Sequence, residues 1–248
     1  MKIALLGDIG IFGRFTQMSE CEFNDYYHDY LSLAERCDFV VGNLEVPFSI
    51  EKKEFTAKSA CLAASPADIN KLNALKLTHV NLANNHTGDF GLEGYDLTIK
   101  LLEEYGLEYF GVAGKQSFID HGGSKIALSG YCNMDSNPVY LYKHDALGEA
   151  GVNVANVAEI IENLAKNHES GYLNILAFHS GLEHVHLPGE MDIQFVRKLS
   201  KICPYIHYGH HPHVVQGYEC IDKSHIFYSL GNFCFDDVYS NVSRKPLV

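Results

Sequence analysis

Short apolar runs alternate along the chain with stretches of helical period. Lys2–Gly7, Asp38–Gly42, Thr78–Ala83, Ile126–Tyr131 and Tyr172–Phe178 read as buried strands. Between them, Phe23–Cys37, Gly91–Tyr105, Asn153–Asn167 and Glu190–Ile202 read as helices. Ser65-Pro66-Ala67-Asp68 opens a further helix that runs to about Lys76. Ser is its N-cap, Pro its first residue, and a carboxylate follows three after the cap. Gly106 closes the helix 91–105 as a C-cap. His121-Gly122-Gly123 predicts a turn. Near the end, Tyr205–Tyr208, Val214–Gly217 and His225–Ser229 read as short strands, with Asp222-Lys223-Ser224 as a hairpin turn. Strands alternating with helices predict an α/β fold with a largely parallel sheet. No repeat, low-complexity tract or Pro/Gly-rich linker divides the chain, so residues 1–248 are expected to form one domain.

The polar residues that end these strands form a second pattern. Gly7-Asp8 follows the first strand, Gly42-Asn43-Leu44-Glu45 the second, and Asn84-Asn85-His86 the third. His179-Ser180-Gly181 follows the strand ending at Phe178, and Gly209-His210-His211-Pro212-His213 follows Tyr205–Tyr208. In open α/β sheets, ligands bind at the carboxyl ends of strands. Taken singly, Asp8 is an N-cap or turn residue, Asn84-Asn85 a left-handed turn and Glu45 a surface residue. Taken together, five such loops carry only metal-ligand chemistry. Carboxylate, carboxamide and imidazole make a mixed O/N site for Mn, Fe, Zn or Ni. None of the five loops contains Cys, which argues against structural zinc and iron–sulfur. In extended backbone, His211 and His213 would point to the same side.

Composition narrows the function. Half of the 14 His lie between His179 and His213. His28, His79, His121, His144, His168 and His225 read as ordinary surface or packing residues; His184 and His186 fit either role. A net charge of −12 argues against nucleic acid and anionic membrane as partners. Divalent metal at the rim would concentrate positive charge there and admit an anionic substrate. Seven scattered Cys form no disulfide framework. No stretch reaches a membrane span, and MKIALLGDIG reads as a first strand, not a signal peptide. A cytoplasmic protein with reduced thiols is the expectation.

The motifs resemble the bacterial capsule-synthesis family CapA/PgsA, the poly-γ-glutamate capsule proteins, a branch of the calcineurin-like metallophosphoesterases. The matching segments are Gly7-Asp8, Asn43-Leu44-Glu45, Ala83-Asn84-Asn85-His86 with Asp89 and Gly91, His179-Ser180-Gly181-Leu182-Glu183, Gly209-His210-His211-Pro212-His213-Val214 with Gln216, and Tyr228-Ser229-Leu230-Gly231-Asn232-Phe233. The resemblance implies a four-layer α/β/β/α sandwich, two mixed sheets flanked by helices, with two divalent metal ions at the sheet ends. It implies Asp8 on the first metal, Glu45 bridging, Asn85, His179 and His211 on the second, and His213 on the first. His86 corresponds to the histidine that protonates the leaving group. Asn43, His210 and Asn232 are further candidates.

The chain departs from the wider pattern at Gly10, where metallophosphoesterases carry a His two residues after the first Asp, and at Asn43, which stands where the bridging Asp usually does. Capsule proteins of the family are often membrane-anchored and extracellular, whereas this chain begins at its first strand. It ends at Val248, where more sheet is expected.

Three functions compete. One is a metal-dependent hydrolase of phosphoester-type bonds. A second is a non-catalytic accessory protein that binds an acidic polymer or its precursor. A third is γ-glutamyl amide or transpeptidase-like chemistry, for which no G-x-S-x-G elbow or Cys–His signature is present. The loops 49–60 and 133–148 are expected to wall the pocket, with Lys52, Lys53, Lys58 and Lys143 placed to meet an anion.

Overall fold

The computed structural model describes residues 1–50, 61–136 and 151–236. Two sheets carry the fold. The first has strand order β11-β1-β2-β3-β4, with β1 Ile3–Ile9, β2 Phe39–Leu44, β3 His79–Asn81, β4 Glu108–Phe110 and β11 Asn232–Cys234. The second runs β5-β6-β7-β8-β10-β9, with β5 Ser117–His121, β6 Ser124–Cys132, β7 Leu173–His179, β8 Tyr205–His210, β9 Tyr218–Ile221 and β10 Ser224–Phe227. The first sheet is wholly parallel; in the second, only the outer pairs β5–β6 and β9–β10 are antiparallel.

Three apolar clusters define four layers. Leu6, Val40 and Val80 on the first sheet pack with Phe15, Phe23, Leu72 and Leu102 from the helices outside it. Val41, Phe110, Leu128, Ile175 and Tyr208 fill the space between the sheets. Leu176, Phe178 and Tyr205 pack with Ile160, Leu164, Val196 and Leu199 on the far side. Neighbours such as Val40 and Val41, or Ile175 and Leu176, face opposite layers. That is why these strands read as unbroken apolar runs: each is covered on both faces.

The helices are α1 Arg14–Gln17, α2 Glu20–Tyr26, α3 His28–Ala34, α4 Asn70–Ala74, α5 Gly91–Glu104, α6 Val157–Glu169 and α7 Glu190–Ser200. Several bounds differ from the sequence pattern. The single helix expected over 23–37 is broken at Tyr27 (φ −102°, ψ 13°), whose buried ring packs on Phe23 and Phe233. Ser65 does cap, accepting from Ala67 N, but it starts a 3₁₀ turn over Pro66–Asp68 that precedes α4. Asn156, not Asn153, caps α6 by accepting from Ala158 N and Glu159 N. Val214–Gly217 is a loop, bridged at Val215 to Leu230 and hydrogen-bonded from Gln216 N to Ser229 O and from Tyr228 N to Gly217 O. The hairpin at Asp222-Lys223 is present, both residues at positive φ. Among the described residues, no helix is long and apolar enough to cross a membrane.

Candidate metal centre

The parallel strands β1, β2, β3, β7 and β8 bring their carboxyl ends to one rim. Asp8 lies at the end of β1 and Glu45 directly after β2; both are wholly buried. After β3, Asn84 builds the turn. Its Nδ2 donates to Leu44 O at 2.8 Å, and its Oδ1 accepts from His86 N at 3.1 Å and Thr87 N at 3.0 Å. This turn presents Asn85, whose Oδ1 is 2.9 Å from His179 Nε2. From the second sheet, His179 ends β7 and His210 ends β8, at matched register.

Two sets of donor atoms converge. One atom each from Glu45, His179 and His211 lies within 4.8 Å of the others, and the same holds for Asp8, Glu45 and His213. Glu45 Oε1 is 3.9 Å from His179 Nε2 and 3.6 Å from His213 Nε2. His213 Nδ1 sits 3.3 Å from Asp8 Oδ2 and 2.8 Å from Asn232 Oδ1. The rings of His179 and His211 are 4.9 Å apart. Asp8 Oδ2, His179 Nδ1 and His211 Nδ1 are buried with no hydrogen bond, which is costly unless something outside the chain meets them.

Electrostatics point the same way. Burial raises the Asp8 carboxyl, but the His210 hydrogen bond and the adjacent His213 imidazole outweigh it and hold the group well below its ordinary value. Burial, then the His211 charge, holds His179 well below the usual imidazole range. Burial and the His213 charge bring His211 down to about 4. Burial alone would lower His213 too, yet the Glu45 charge and the adjacent Asp8 carboxylate lift it to about 10. Ionised Asp8 and neutral His179 and His211 are the forms that ligate a cation, whereas His213 must give up its proton to do so.

His211 and His213 do not reach the site from extended backbone. Both have positive φ, 92° and 58°, so a strained turn aims them. Asn43 has both ends of its amide engaged, Nδ2 on Asp8 Oδ1 and Oδ1 on Asn81 Nδ2, each at 2.9 Å. His210 Nδ1 is 2.9 Å from Asp8 Oδ1. His86 turns Nδ1 to Asp89 Oδ2 at 2.6 Å. His184 and His186 are exposed on the loop after β7, the His184 ring 6.2 Å from that of His213. Ser180 donates to Asp192 Oδ1 at 2.9 Å, and Gly181 beside it has φ 97°, so this pair shapes the loop. A Cβ at Gly10 would overlap the Val46 side chain and lie 2.8 Å from the Phe12 ring. Lys52, Lys53, Lys58, Lys143 and His144, with most of the two expected pocket walls, lie outside the described residues. Sequence reasoning passed over Asn81; its only signal is a carboxamide between Val80 and Leu82 in an apolar strand.

The described residues thus form a two-sheet α/β sandwich with candidate metal ligands gathered at its strand ends. The family model for bacterial capsule synthesis protein PGA_cap matches residues 2–237, and the chain belongs to that family. It is 27% identical over 258 residues to the PGA biosynthesis protein CapA of Bacillus subtilis (strain 168), covering 100% of this chain and 67% of that protein. It is 26% identical over 260 residues to the capsule biosynthesis protein CapA of Bacillus anthracis, covering 100% of this chain and 63% of that one. The uncharacterized protein y4sH of Sinorhizobium fredii is 23% identical over 87% of this chain and 63% of its own length. The chain thus spans about two thirds of the length of these relatives.

Proposed function

We propose that this cluster is a two-metal centre and that the chain is a metal-dependent hydrolase of phosphoester-type bonds serving capsule or poly-γ-glutamate biosynthesis. The observation that carries the reading is Glu45, which belongs to both converging donor sets. Asp8, Glu45 and His213 would hold one ion; Glu45, Asn85, His179 and His211 would hold the other. Buried, unpartnered Asp8 Oδ2 and His211 Nδ1 fit a cation, and the O/N donor set suits Mn, Fe, Zn or Ni. When bound, such a pair activates water and neutralises phosphate oxygens. His86 would hold a proton at Nε2 for the leaving group, with its other ring nitrogen anchored on Asp89. The substrate would be an anionic small molecule or polymer; the net −12 keeps nucleic acid out of this reading.

The second reading is a non-catalytic accessory protein that uses the same pocket to bind an acidic polymer or its precursor. Gly10 favours it, because the place of an expected first-site ligand is filled by Val46 and Phe12.

The deciding experiment loads the purified protein with Mn²⁺ and assays an aryl phosphate and a phosphodiester. Turnover lost on chelation and in His86→Ala supports the hydrolase. Two bound equivalents without turnover support the accessory role.

A further inference from the structure

A row of polar side chains crosses the first sheet just beneath the rim. Strand register sets Asn232, Asp8, Asn43 and Asn81 side by side on β11, β1, β2 and β3. Three of them form a chain of bonds. The Ala83 N–H donates to Asn81 Oδ1 at 3.1 Å, Asn81 Nδ2 donates to Asn43 Oδ1 at 2.9 Å, and Asn43 Nδ2 donates to Asp8 Oδ1 at 2.9 Å. Asn81 Nδ2 also donates to Ala83 O at 3.3 Å. Asp8, Asn43 and Asn81 are all fully buried.

An amide differs end from end, so each link fixes the orientation of the next. The Ala83 N–H calls for the Asn81 oxygen, which leaves the Asn81 NH₂ for Asn43 and the Asn43 NH₂ for Asp8. Flipping either amide would face like with like in a buried site, at a cost of about 1–3 kcal/mol per unmet group. His210 Nδ1 reaches the same Asp8 Oδ1 from the opposite sheet. Asp8 Oδ1 is therefore held from two sides, while Oδ2 has no hydrogen bond and faces His213.

The backbone has made room for this relay. A Cβ at Gly130 on β6, or at Gly111 after β4, would overlap Asn81 Oδ1. Both positions are glycine, and Asn81 fills the gap between the sheets.

We propose that Asn43, Asn81 and His210 are positioning residues that make Asp8 a one-oxygen ligand through Oδ2, with Asn81 setting the polarity of the relay. This rests on the metal reading above and goes beyond it: Asn43 acts through Asp8 and is not itself a ligand. Partners of this kind are typically worth about 10–100-fold in metal affinity.

The test titrates Mn²⁺ into the metal-free full chain, followed by calorimetry and by electron paramagnetic resonance, which separates a spin-coupled pair from lone ions. The wild type is expected to bind two ions with a coupled spectrum. Asn81→Asp keeps the size but sets an acceptor against Asn43 Oδ1. One site should weaken about 10–100-fold and the other by less than about threefold, with lone-ion signal replacing the coupled one. Unchanged two-site binding overturns the relay, and so does equal weakening of both sites in a folded variant. If Asn81→Asp does not fold, His210→Leu and His210→Asn decide: Asn retains a donor at the Nδ1 position and should keep the affinity that Leu loses. Equal affinity in both overturns the proposal. A wild type that takes up no Mn²⁺ overturns the metal reading itself.

Discussion

His86 Nδ1 lies 2.6 Å from Asp89 Oδ2, three residues on in the same turn, and both side chains are buried. The carboxylate also accepts from Leu62 N at 3.0 Å, so it is tethered from two directions. A tethered carboxylate fixes the tilt of the imidazole and keeps Nδ1 as the donor to it, so Nε2 is the nitrogen that would serve the leaving group.

Asp89→Asn keeps the shape and removes the charge. Phosphoester turnover should fall by a sizeable part of the about 10²–10⁴-fold that a positioned acid contributes, with kcat falling more than KM. His86→Ala should lose the whole of it. Mn²⁺ uptake should be unchanged in Asp89→Asn, and steady-state kinetics beside a metal titration checks both halves.

Metal removal should cost stability, because ions held at the proposed centre would bind the folded chain alone. At a hundredfold excess over Kd, one site contributes about 2.7 kcal/mol. For a chain of this size that is about 5–10 °C in Tm. A chelator should therefore lower the wild-type midpoint by that amount and leave Glu45→Ala/His211→Ala unmoved. Full metal occupancy in that double variant would remove the site assignment.

Gly10→His should not restore a ligand. Its Cβ would overlap Val46 and press on Phe12, both packed inside the fold. Overpacking of this kind costs about 1–3 kcal/mol. The expected result is a lower urea midpoint with no added metal equivalent; a fourth donor, seen as tighter first-site Mn²⁺ binding, would contradict it.

Acid should weaken the fold through His207. Burial, then the neighbouring His210 charge, pushes this imidazole down to about 3. The unfolded chain takes up the proton near pH 6.5 and the folded chain does not. The unfolded state thus binds more protons between about pH 6.5 and 3, and stability falls as pH drops through that window, by up to about 1.4 kcal/mol per unit. His207→Phe should flatten the slope. Urea midpoints of the metal-free protein from neutrality down to about pH 4 measure it.

Much of the site was legible because its residues follow strands. Asp8, Glu45, Asn85, His179 and His211 each close an apolar run, and the rim collects them. What could not be read is what depends on sheet order. Asn81 becomes important only once β3 lies beside β2; Asn232 is among the sequence candidates, but its place opposite Asp8 emerges only once β11 lies beside β1. The pattern also merged α2 with α3, since Tyr27 is compatible with a helix and yields only to packing on Phe233. For His211 and His213 the spacing suggested an extended strand, whereas a turn at positive φ brings their rings to the rim.

The first strand of this chain pairs with the last one described, Asp8 opposite Asn232 and Ile9 opposite Cys234. During synthesis, β1 leaves the ribosome long before its neighbour exists. Until then its flank is a bare row of amides and carbonyls, open to any extended chain. His213 likewise lacks the Asn232 oxygen that steadies it. Completion of the site is therefore a late event in the life of each molecule, timed by the emergence of β11.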